Sequence, residues 1–324
     1  MTHSKRYFIV GGAGFIGSHF TDRLLADSSM TGVTLYDNFS SGREWHYEKH
    51  VNDPRFHVVR GDVKDLGTLV AAMKGHDVVI HLASNPDIAR AATEPDIDFR
   101  EGTWLTNNVV EAMRCSGTRT ILYASGSGIY GDLGEKEITE DHGPLIPIST
   151  YGASKLAGEA LISAYCHMFE FIGRAYRFGN VVGPRQTHGV GFDFLRQLLK
   201  DPRHLRILGD GTQSKSYIHV HDIVDAVLLG ESRSTAPFAV YNVATDYITV
   251  TEIAGLAVEC AGLDQRQVKF EYTGGNRGWK GDIPIVRLSA DRIRRLGWDC
   301  HRGSREALRD SMLAMLPDLK AGRL

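Results

Sequence analysis

Short apolar segments alternate with longer amphipathic segments through the first half of the chain. Nearly continuous apolar runs are typical of strands that are buried on both faces, and an apolar period of about 3.6 residues indicates helices. The alternation therefore predicts an α/β fold built on a doubly wound parallel sheet. The predicted strands are Tyr7–Val10, Val33–Tyr36, Phe56–Val59, Val78–Leu82, Thr120–Tyr123 and Phe171–Arg177. The predicted helices are Phe15–Ala26, Leu66–Met73, Asp98–Arg114 and Thr150–Phe169.

The regular alternation weakens after Asn180, where Gly, Pro and His become more frequent. Helical patterns recur at Phe192–Leu199, Ile223–Leu229 and Thr251–Cys260. We therefore predict a larger first domain over residues 1–179 and a smaller C-terminal α/β domain over residues 180–324. A strand-like run near residues 239–244 is a candidate to return to the first sheet.

Composition and charge narrow the class of protein. With 37 Lys and Arg against 39 Asp and Glu, the formal net charge is −2, which argues against a general nucleic-acid binder. No apolar run approaches the roughly 18 residues of a membrane span, and no signal-peptide pattern opens the chain. We therefore expect a cytoplasmic protein with no membrane partner. The cysteines form no CxxC pair, and His219 and His221 lack a clear third ligand, so we predict reduced thiols and no metal site.

Glycine makes up 35 of the 324 residues, which is above the usual level of about 7%. The segment Gly11–Gly17 follows the first strand, opens a predicted helix and fits both GxGxxG and GxxGxxG. Glycine permits the tight turn and lets backbone amides approach a pyrophosphate at the helix N-terminus. Asp37 follows Gly17 by 20 residues, at the end of the second strand, where a carboxylate binds a ribose 2′-hydroxyl and repels a 2′-phosphate. These features predict a Rossmann domain that binds NAD rather than NADP.

Tyr151 and Lys155 are four residues apart in a predicted helix and therefore share one face. A nearby ammonium stabilises a phenolate and lowers a tyrosine pKa from its usual value of about 10. Such a tyrosine can take a proton from a sugar hydroxyl while hydride leaves the same carbon. The YxxxK pattern alone is common by chance, but its place after the fifth strand of a dinucleotide-binding unit makes this pair the best catalytic candidate.

Further motifs follow one another along nearly the whole chain. They are Asp37-Asn38, Gly61-Asp62-Val63, His81-Leu82-Ala83, Ile129-Tyr130-Gly131, Arg177-Phe178-Gly179-Asn180, Gly209 to Gln213, Tyr217 to Val220 and Arg277 to Asp282. With the glycine loop and the Tyr151–Lys155 pair, they resemble the extended short-chain dehydrogenase/reductase family. Within that family they look most like the nucleotide-sugar epimerases of the UDP-glucose 4-epimerase type, in their archaeal-type branch.

The resemblance implies a tightly bound NAD and a reaction that passes through a 4-keto sugar. Tyr151 would remove the proton of the sugar 4-hydroxyl, and Lys155 would hold the nicotinamide ribose and tune Tyr151. The implied cofactor contacts are Gly11, Gly14, Phe15, Ile16, Gly17, Asp37, Asn38, Ser41, Gly42, Asp62, Val63, Leu82, Ala83, Ser84, Tyr151 and Lys155. The implied substrate contacts are Ser127, Tyr151, Asn180, Arg185, Lys215 and Arg277. The family also implies a homodimer.

One departure concerns the hydroxyl that relatives place at the reacting carbon. The family usually has Ser or Thr four residues before the Tyr of its Tyr-Gly pair, and counting back from Tyr130 reaches Gly126. We predict that Ser127 or its neighbour Ser125 supplies the catalytic hydroxyl, with ordinary turn capping as the alternative. The same segment lacks the acidic pair of the family's dehydratases and the Glu of its decarboxylases, which favours epimerisation.

A second departure concerns the diphosphate of the substrate. A frequent Arg of the family is Lys215 in this chain, and a lysine neutralises a diphosphate as a point charge but cannot bind it bidentately. Arg277, or alternatively Lys280, would supply the bidentate group, with solvated surface charge as the other interpretation of Lys280.

These expectations predict an NAD-dependent 4-epimerase whose small-molecule partner is a UDP-sugar, with UDP-glucose and UDP-galactose as the favoured substrates. Three alternatives remain open. They are an epimerase of a UDP-uronate or a UDP-N-acetylhexosamine, another NAD-dependent nucleotide-sugar oxidoreductase, and a catalytically silent NAD-binding protein.

Overall fold

The computed structural model describes residues 4–322, and strands and helices alternate through the first half of this chain. The strands are β1 Arg6–Val10, β2 Gly32–Asp37, β3 Phe56–Arg60, β4 Val78–His81, β5 Thr120–Gly126, β6 Glu137–Ile138, β7 Ile172–Phe178, β8 Asn180–Val182, β9 His204–Ile207, β10 Ser214–Lys215, β11 Tyr217–His219, β12 Phe238–Val243, β13 Ile248–Thr249, β14 Lys269–Tyr272 and β15 Arg287–Leu288. The helices are α1 Phe15–Leu25, α2 Leu66–Met73, α3 Trp104–Ser116, α4 Thr150–Phe169, α5 Val190–Lys200, α6 Val220–Arg233, α7 Val250–Cys260, α8 Asp291–Arg294 and α9 Ser304–Lys320.

Seven of the strands between residues 4 and 322 form one sheet, in the order β12-β7-β5-β4-β1-β2-β3. The pairs β1–β2, β1–β4, β2–β3 and β4–β5 are parallel. β2 and β4 are buried over their whole length, as their continuous apolar sequences predict. The sheet and its flanking helices confirm the predicted doubly wound α/β fold. The strand expected near residues 239–244 is β12, at the sheet edge beside β7.

Helices α2, α3 and α4 pack against this sheet through one apolar cluster. Leu69 and Met73 of α2, Val109 and Met113 of α3 and Ile162 of α4 belong to it, and all five are fully buried. Burying a side chain of this size contributes about 1.5–3 kcal/mol. The helix predicted from Asp98 differs at its start, because residues 99–103 form a wider π-type turn before the regular α3.

The chain divides into two compact units, each built from three segments. The first unit comprises the segment that ends at Ile129, together with Ser149–Arg177 and Val227–Tyr241. The second comprises Tyr130–Ile148, Phe178–Ala226 and the segment that begins at Asn242. The predicted domains, residues 1–179 and 180–324, are continuous stretches and stay a prediction. In the structure, residues 130–148 belong to the second unit and residues 227–241 belong to the first.

The second unit has its own core. Its helices α5, α7 and α9 bury one apolar cluster that includes Leu195, Leu256 and Leu308. The same unit contains short strand pairs: β8–β11, β9–β14 and β6–β15 are parallel, and β10–β13 is antiparallel.

Candidate active site

The loops that follow β1 and β4 lie side by side in the first unit. β1 is bonded to β2 on one side and to β4 on the other, so the strand order reverses there. Doubly wound sheets bind ligands outside the carboxyl ends of the strands at such a point. The N–H groups of Leu82 and Ala83 both donate to Val10 O, at 2.9 and 3.1 Å. Gly11 has a φ of 77°, and a Cβ there would lie 2.8 Å from Ala83 N, so these predicted cofactor contacts are adjacent.

The surroundings of the other glycines in the loop explain why a side chain is absent at each of them. A Cβ on Gly12 would lie 2.6 Å from a leucine methyl group of β2, and one on Gly17 would lie 2.5 Å from Gly12 O. Gly14 has an ordinary φ of −75°, and its Cβ would meet only one backbone oxygen within 4 Å, at 3.3 Å. It caps α1 without a side-chain hydrogen bond, just before Phe15 and Ile16, whose N–H groups have no acceptor within the helix. A helix N-terminus whose N–H groups have no side-chain acceptor, and whose capping residue is glycine, leaves room for a pyrophosphate.

Asp37 ends β2 beside the glycine loop. Its carboxylate accepts hydrogen bonds from Ala13 N at 2.9 Å and Phe39 N at 2.8 Å. Burial raises the pKa of Asp37, although both hydrogen bonds act to lower it. A carboxylate offers about four acceptor positions, so the side chain can still accept hydrogen bonds from a ribose. The contact with the ribose stays a prediction.

The remaining predicted adenosine contacts lie around this carboxylate. A Cβ on Gly42 would be 3.0 Å from its Oδ1 atom, and Ser41 precedes Gly42 in an exposed loop. Asn38 Nδ2 lies 3.4 Å from Asp62 Oδ2, and Val63 follows as a buried residue. The structure thus brings these five residues to one end of the sheet, and their cofactor contacts stay predictions.

Helix α4 presents Tyr151 and Lys155 on one face. Lys155 is 3% exposed, and its Nζ atom donates to Ala124 O at 2.8 Å. The same nitrogen lies 5.5 Å from the centre of the Tyr151 ring and 5.2 Å from that of Tyr123. The pair is therefore close, as its spacing predicts, and the backbone of β5 holds the ammonium group.

The pKa values of this pair move in opposite directions. Burial lowers the pKa of Lys155 to about 8, against the charge of Asp98. Burial and then the Asp98 charge raise the pKa of Tyr151 to about 12, and an interaction with the Ser84 hydroxyl lowers it. The expectation that Lys155 lowers the pKa of Tyr151 is therefore corrected. Burial dominates, and within residues 4–322 no hydrogen bond joins Lys155 to the phenol.

Asp98 is a residue of the site that the sequence analysis missed. Its carboxylate is 1% exposed and accepts hydrogen bonds from Asn85 Nδ2 at 2.9 Å and from Thr150 Oγ1 at 2.7 Å. Asn85 follows Ser84 in the loop after β4, and Thr150 precedes Tyr151 at the start of α4. No motif marks Asp98, because the fold brings it to the site from the turn before α3.

Ser125 and Ser127 have different surroundings. The Ser125 hydroxyl donates to Glu159 at 2.5 Å, and the same carboxylate binds Arg177 through two hydrogen bonds of 3.0 and 2.7 Å. All three side chains are buried. Ser127 is partly exposed, and its hydroxyl has no hydrogen-bond partner in the described part of the chain. The geometry favours Ser127 as the available hydroxyl, and the catalytic roles of both serines stay predictions.

Gly126 is not required by packing. A Cβ there would meet no atom within 4 Å, so a larger residue fits. A Cβ on Gly128 would lie 3.6 Å from Gly152 Cα, which places the loop with Ser127 against the start of α4. Ser127 and Tyr151 therefore belong to the same end of the first unit.

His81 ends β4 as a fully buried histidine. Its Nε2 atom lies 3.0 Å from Thr106 Oγ1, which itself donates to Gly102 O, so the imidazole donates through Nε2. Its Nδ1 atom has no hydrogen-bond partner among residues 4–322. Burial, with a contribution from the Lys155 charge, lowers the pKa of His81 to about 3. The ring is therefore neutral at physiological pH.

Lys215 and Arg277, the predicted diphosphate contacts, share one network in the second unit. Lys215 Nζ lies 2.5 Å from Asp282 Oδ1, and Arg277 donates to Asp282 O and, at 2.6 Å, to Asp132. Asp282 is 4% exposed. Carboxylates already balance both cations, so a diphosphate would have to share them. Their substrate role stays a prediction.

Asn180 and Arg185 also belong to the second unit. Asn180 begins β8, is exposed, and donates to Ser216 O through its backbone N–H at 2.9 Å. Arg185 adopts a φ of 68°, a backbone region that non-glycine residues rarely occupy and that recurs at functional sites. Their contact with a nucleotide sugar stays a prediction.

Comparison with known proteins decides the family. Residues 7–244 match the NAD dependent epimerase/dehydratase family. The chain belongs to this family. It is 36% identical over 304 residues to the UDP-glucose 4-epimerase of Mycolicibacterium smegmatis, which covers 90% of this chain and 93% of that one.

Solved structures agree with this family. A crystal structure of a UDP-galactose 4-epimerase has a TM-score of 0.86 at 35% identity and covers 97% of this chain and 99% of its own. A dTDP-glucose 4,6-dehydratase of Streptomyces venezuelae, crystallised with NAD, has a TM-score of 0.88 at 25% identity and covers 98% of both chains. The protein is therefore a nucleotide-sugar enzyme of the epimerase/dehydratase family, and its cofactor is NAD.

No helix between residues 4 and 322 is long and apolar enough to cross a membrane. Within the same range, no group of three or more His, Cys, Asp or Glu side chains could hold a metal ion.

Proposed function

We propose that the protein is a UDP-sugar 4-epimerase that interconverts UDP-glucose and UDP-galactose through a transient 4-keto sugar. One observation carries the proposal: residues 125–128 offer hydroxyls beside α4 and no carboxylate. The carboxylate that contacts this segment, Glu159, is bonded to Ser125 and Arg177 and is buried. Elimination of water needs an acid at this point, whereas epimerisation needs the base and the cofactor alone. The similarity to two proteins named 4-epimerases supports the same choice.

Each residue of the site has a role in this reaction. Tyr151 takes the proton of the sugar 4-hydroxyl onto its phenol oxygen and later returns it. Lys155 carries a positive charge below about pH 8, its ammonium group lies 5.5 Å from the Tyr151 ring centre, and it would hold the nicotinamide ribose. Ser127 supplies a free hydroxyl to orient the sugar. Gly14, the first turn of α1 and Asp37 hold NAD, which supplies a reversible hydride acceptor when bound.

Product analysis with three substrates tests the proposal. Purified protein is incubated with UDP-galactose, UDP-glucuronate or UDP-N-acetylglucosamine, products are separated by chromatography, and NADH absorbance is followed. We expect UDP-glucose from UDP-galactose without net NADH. Conversion of another sugar alone would replace the substrate, and accumulating NADH would indicate an oxidoreductase. Bound NAD without conversion of any sugar would favour the silent NAD-binding protein.

We also propose a homodimer. Phe99, Trp104 and Met168, near or on α3 and α4, are 61%, 41% and 71% exposed, and apolar side chains of this size are typical of subunit interfaces. Sedimentation velocity should give twice the monomer mass. Trp104→Glu should reduce this mass to that of the monomer, whereas Leu313→Glu, at another exposed apolar position, should not.

A further inference from the structure

The start of α4 is tied to the loop after β4 by one buried carboxylate. Asp98 accepts hydrogen bonds from Thr150 Oγ1 at 2.7 Å and from Asn85 Nδ2 at 2.9 Å. Asn85 in turn fixes its own loop, because its amide bonds Asp87 N at 3.0 Å and Asp87 O at 2.9 Å. Thr150, which precedes Tyr151, and Asn85, which follows Ser84, are therefore held by one carboxylate, each through a different oxygen atom.

Within residues 4–322, no cation is bonded to this carboxylate. Asp98 is 1% exposed, and its hydrogen bonds come from a neutral hydroxyl and a neutral amide. A buried charge without a bonded counter-ion acts over a longer range than one in a salt bridge. The Asp98 charge raises the pKa of both Tyr151 and Lys155, so that both the phenol and the ammonium group are harder to deprotonate.

We propose that Asp98 is a positioning residue: it fixes the start of α4, and with it Tyr151, against the loop after β4, and its charge acts on the Tyr151 phenol. This inference rests on the proposed role of Tyr151 as the base. Other groups near the phenol are Ser84 from the loop after β4, Lys155 on α4 and Tyr123 on β5. The neutral His81 on β4 contacts Tyr123 and interacts with Lys155. Asp98 is the carboxylate that acts on Tyr151 in the described part of the chain.

The variant Asp98→Asn separates position from charge. An asparagine can accept from Asn85 through its oxygen and donate to the Thr150 hydroxyl through its nitrogen, so both links survive while the charge is lost. Asp98→Ala removes both links. Asp96→Asn is the matched control, because Asp96 lies two residues away, is 65% exposed and pairs with Arg100.

The holoenzyme is labelled with ¹³C at tyrosine Cζ, and Tyr151→Phe assigns the Tyr151 resonance. We expect Asp98→Asn to lower the pH midpoint of Tyr151 by up to about one unit and to move the acidic limb of the kcat profile in the same direction. Asp96→Asn should change neither. Asp98→Ala should lower kcat at least about tenfold with little change in KM, and Asp98→Asn should restore most of this loss.

An unchanged Tyr151 midpoint in Asp98→Asn would overturn the charge effect. Equal kcat in Asp98→Ala and the parent would overturn the positioning role. If the parent converts no UDP-sugar, the proposed function fails, and the titration of Tyr151 still decides the effect of Asp98. Should Asp98→Ala not fold, Thr150→Val removes one link alone and is expected to lower kcat in the same direction.

Discussion

Two clusters of buried polar side chains contact the same helix, α4, and they differ in how their charges are balanced. Around the first two turns, Lys155 is buried and Tyr151 is partly exposed, and neither is bonded to an opposite charge within residues 4–322. Around the third turn, Glu159 binds Arg177 at 2.7 Å and accepts from Ser125. Lys155 is as deeply buried as Glu159 and Arg177, so burial alone does not distinguish the two clusters.

Two groups of the first cluster, Tyr151 and Lys155, have pKa values that are shifted from their usual range. Without a counter-ion, burial moves the pKa of Tyr151 up to about 12 and that of Lys155 down to about 8. Strongly perturbed groups of this kind are typical of catalytic sites. The ion pair of Glu159 with Arg177, together with the hydrogen bond from Ser125, connects α4 to β5 and β7. The first cluster is therefore suited to proton transfer and the second to structure.

The largest expected effect comes from the first cluster. Tyr151→Phe removes the phenol oxygen and should lower turnover by about 10²–10⁴-fold, the usual contribution of a positioned acid–base group. The free energy of unfolding should change by less than about 1 kcal/mol, because the ring remains. Initial rates with UDP-galactose and chemical denaturation measure the two quantities. Full activity in this variant would remove Tyr151 from the mechanism.

The second cluster should respond in stability instead. Arg177→Met leaves Glu159 as an uncompensated buried charge and should cost about 3–5 kcal/mol in the free energy of unfolding. The matched control Arg114→Met breaks an exposed pair with Glu111 and should cost at most about 1 kcal/mol. Replacing both partners, in Arg177→Met with Glu159→Leu, should recover part of the loss. Equal destabilisation by the two arginine variants would contradict the contrast between the clusters.

His81 makes the free energy of unfolding depend on pH. Its pKa falls from an ordinary value of 6.5 to about 3, so the folded state binds fewer protons than the unfolded state between these values. The neutral ring therefore contributes stability above about pH 6.5, and this contribution is lost at about 1.4 kcal/mol per pH unit as the pH falls towards 3. His81→Gln should remove this slope, as measured by denaturation at several pH values. His204→Gln, an exposed control, should leave it unchanged.

The smallest effect is expected at Gly126. Because a Cβ there meets no atom within 4 Å, Gly126→Ser should fold with a free energy of unfolding within about 1 kcal/mol of the parent. Gly158→Ser, on α4, is the contrasting control, since its Cβ would lie 2.4 Å from Tyr123 OH. We expect the added hydroxyl at residue 126 to keep or modestly raise turnover. A large loss of stability would show that the loop is more tightly packed than the structure indicates.

The sequence predicts best those features whose pattern lies within one strand, turn or helix. The glycine loop, Asp37 and the Tyr151–Lys155 pair depend on spacings within one strand, turn or helix, and the structure places them as expected. Glu159 was also within reach, because it lies one further turn along the face that carries Tyr151 and Lys155.

The rest depends on contacts between distant segments. Asp98 reaches Thr150 across 52 positions, and no local pattern marks such a carboxylate. The direction of the Tyr151 pKa was wrong for the same reason. The sequence shows Lys155 as a neighbour of Tyr151 on the helix. It does not show the burial and the Asp98 charge, which raise the Tyr151 pKa only in the folded chain. Similarly, Lys215 and Arg277 meet their carboxylates only through the fold of the second unit.

We propose that the groups around Tyr151 and Lys155 oxidise the sugar reversibly at C4 and return the hydrogen to the same carbon. UDP-galactose that carries deuterium at C4 tests this directly, with the product examined by NMR. The account predicts UDP-glucose that retains its deuterium at C4. Deuterium at C6, loss of deuterium to solvent, or a 4-keto-6-deoxy product would contradict it.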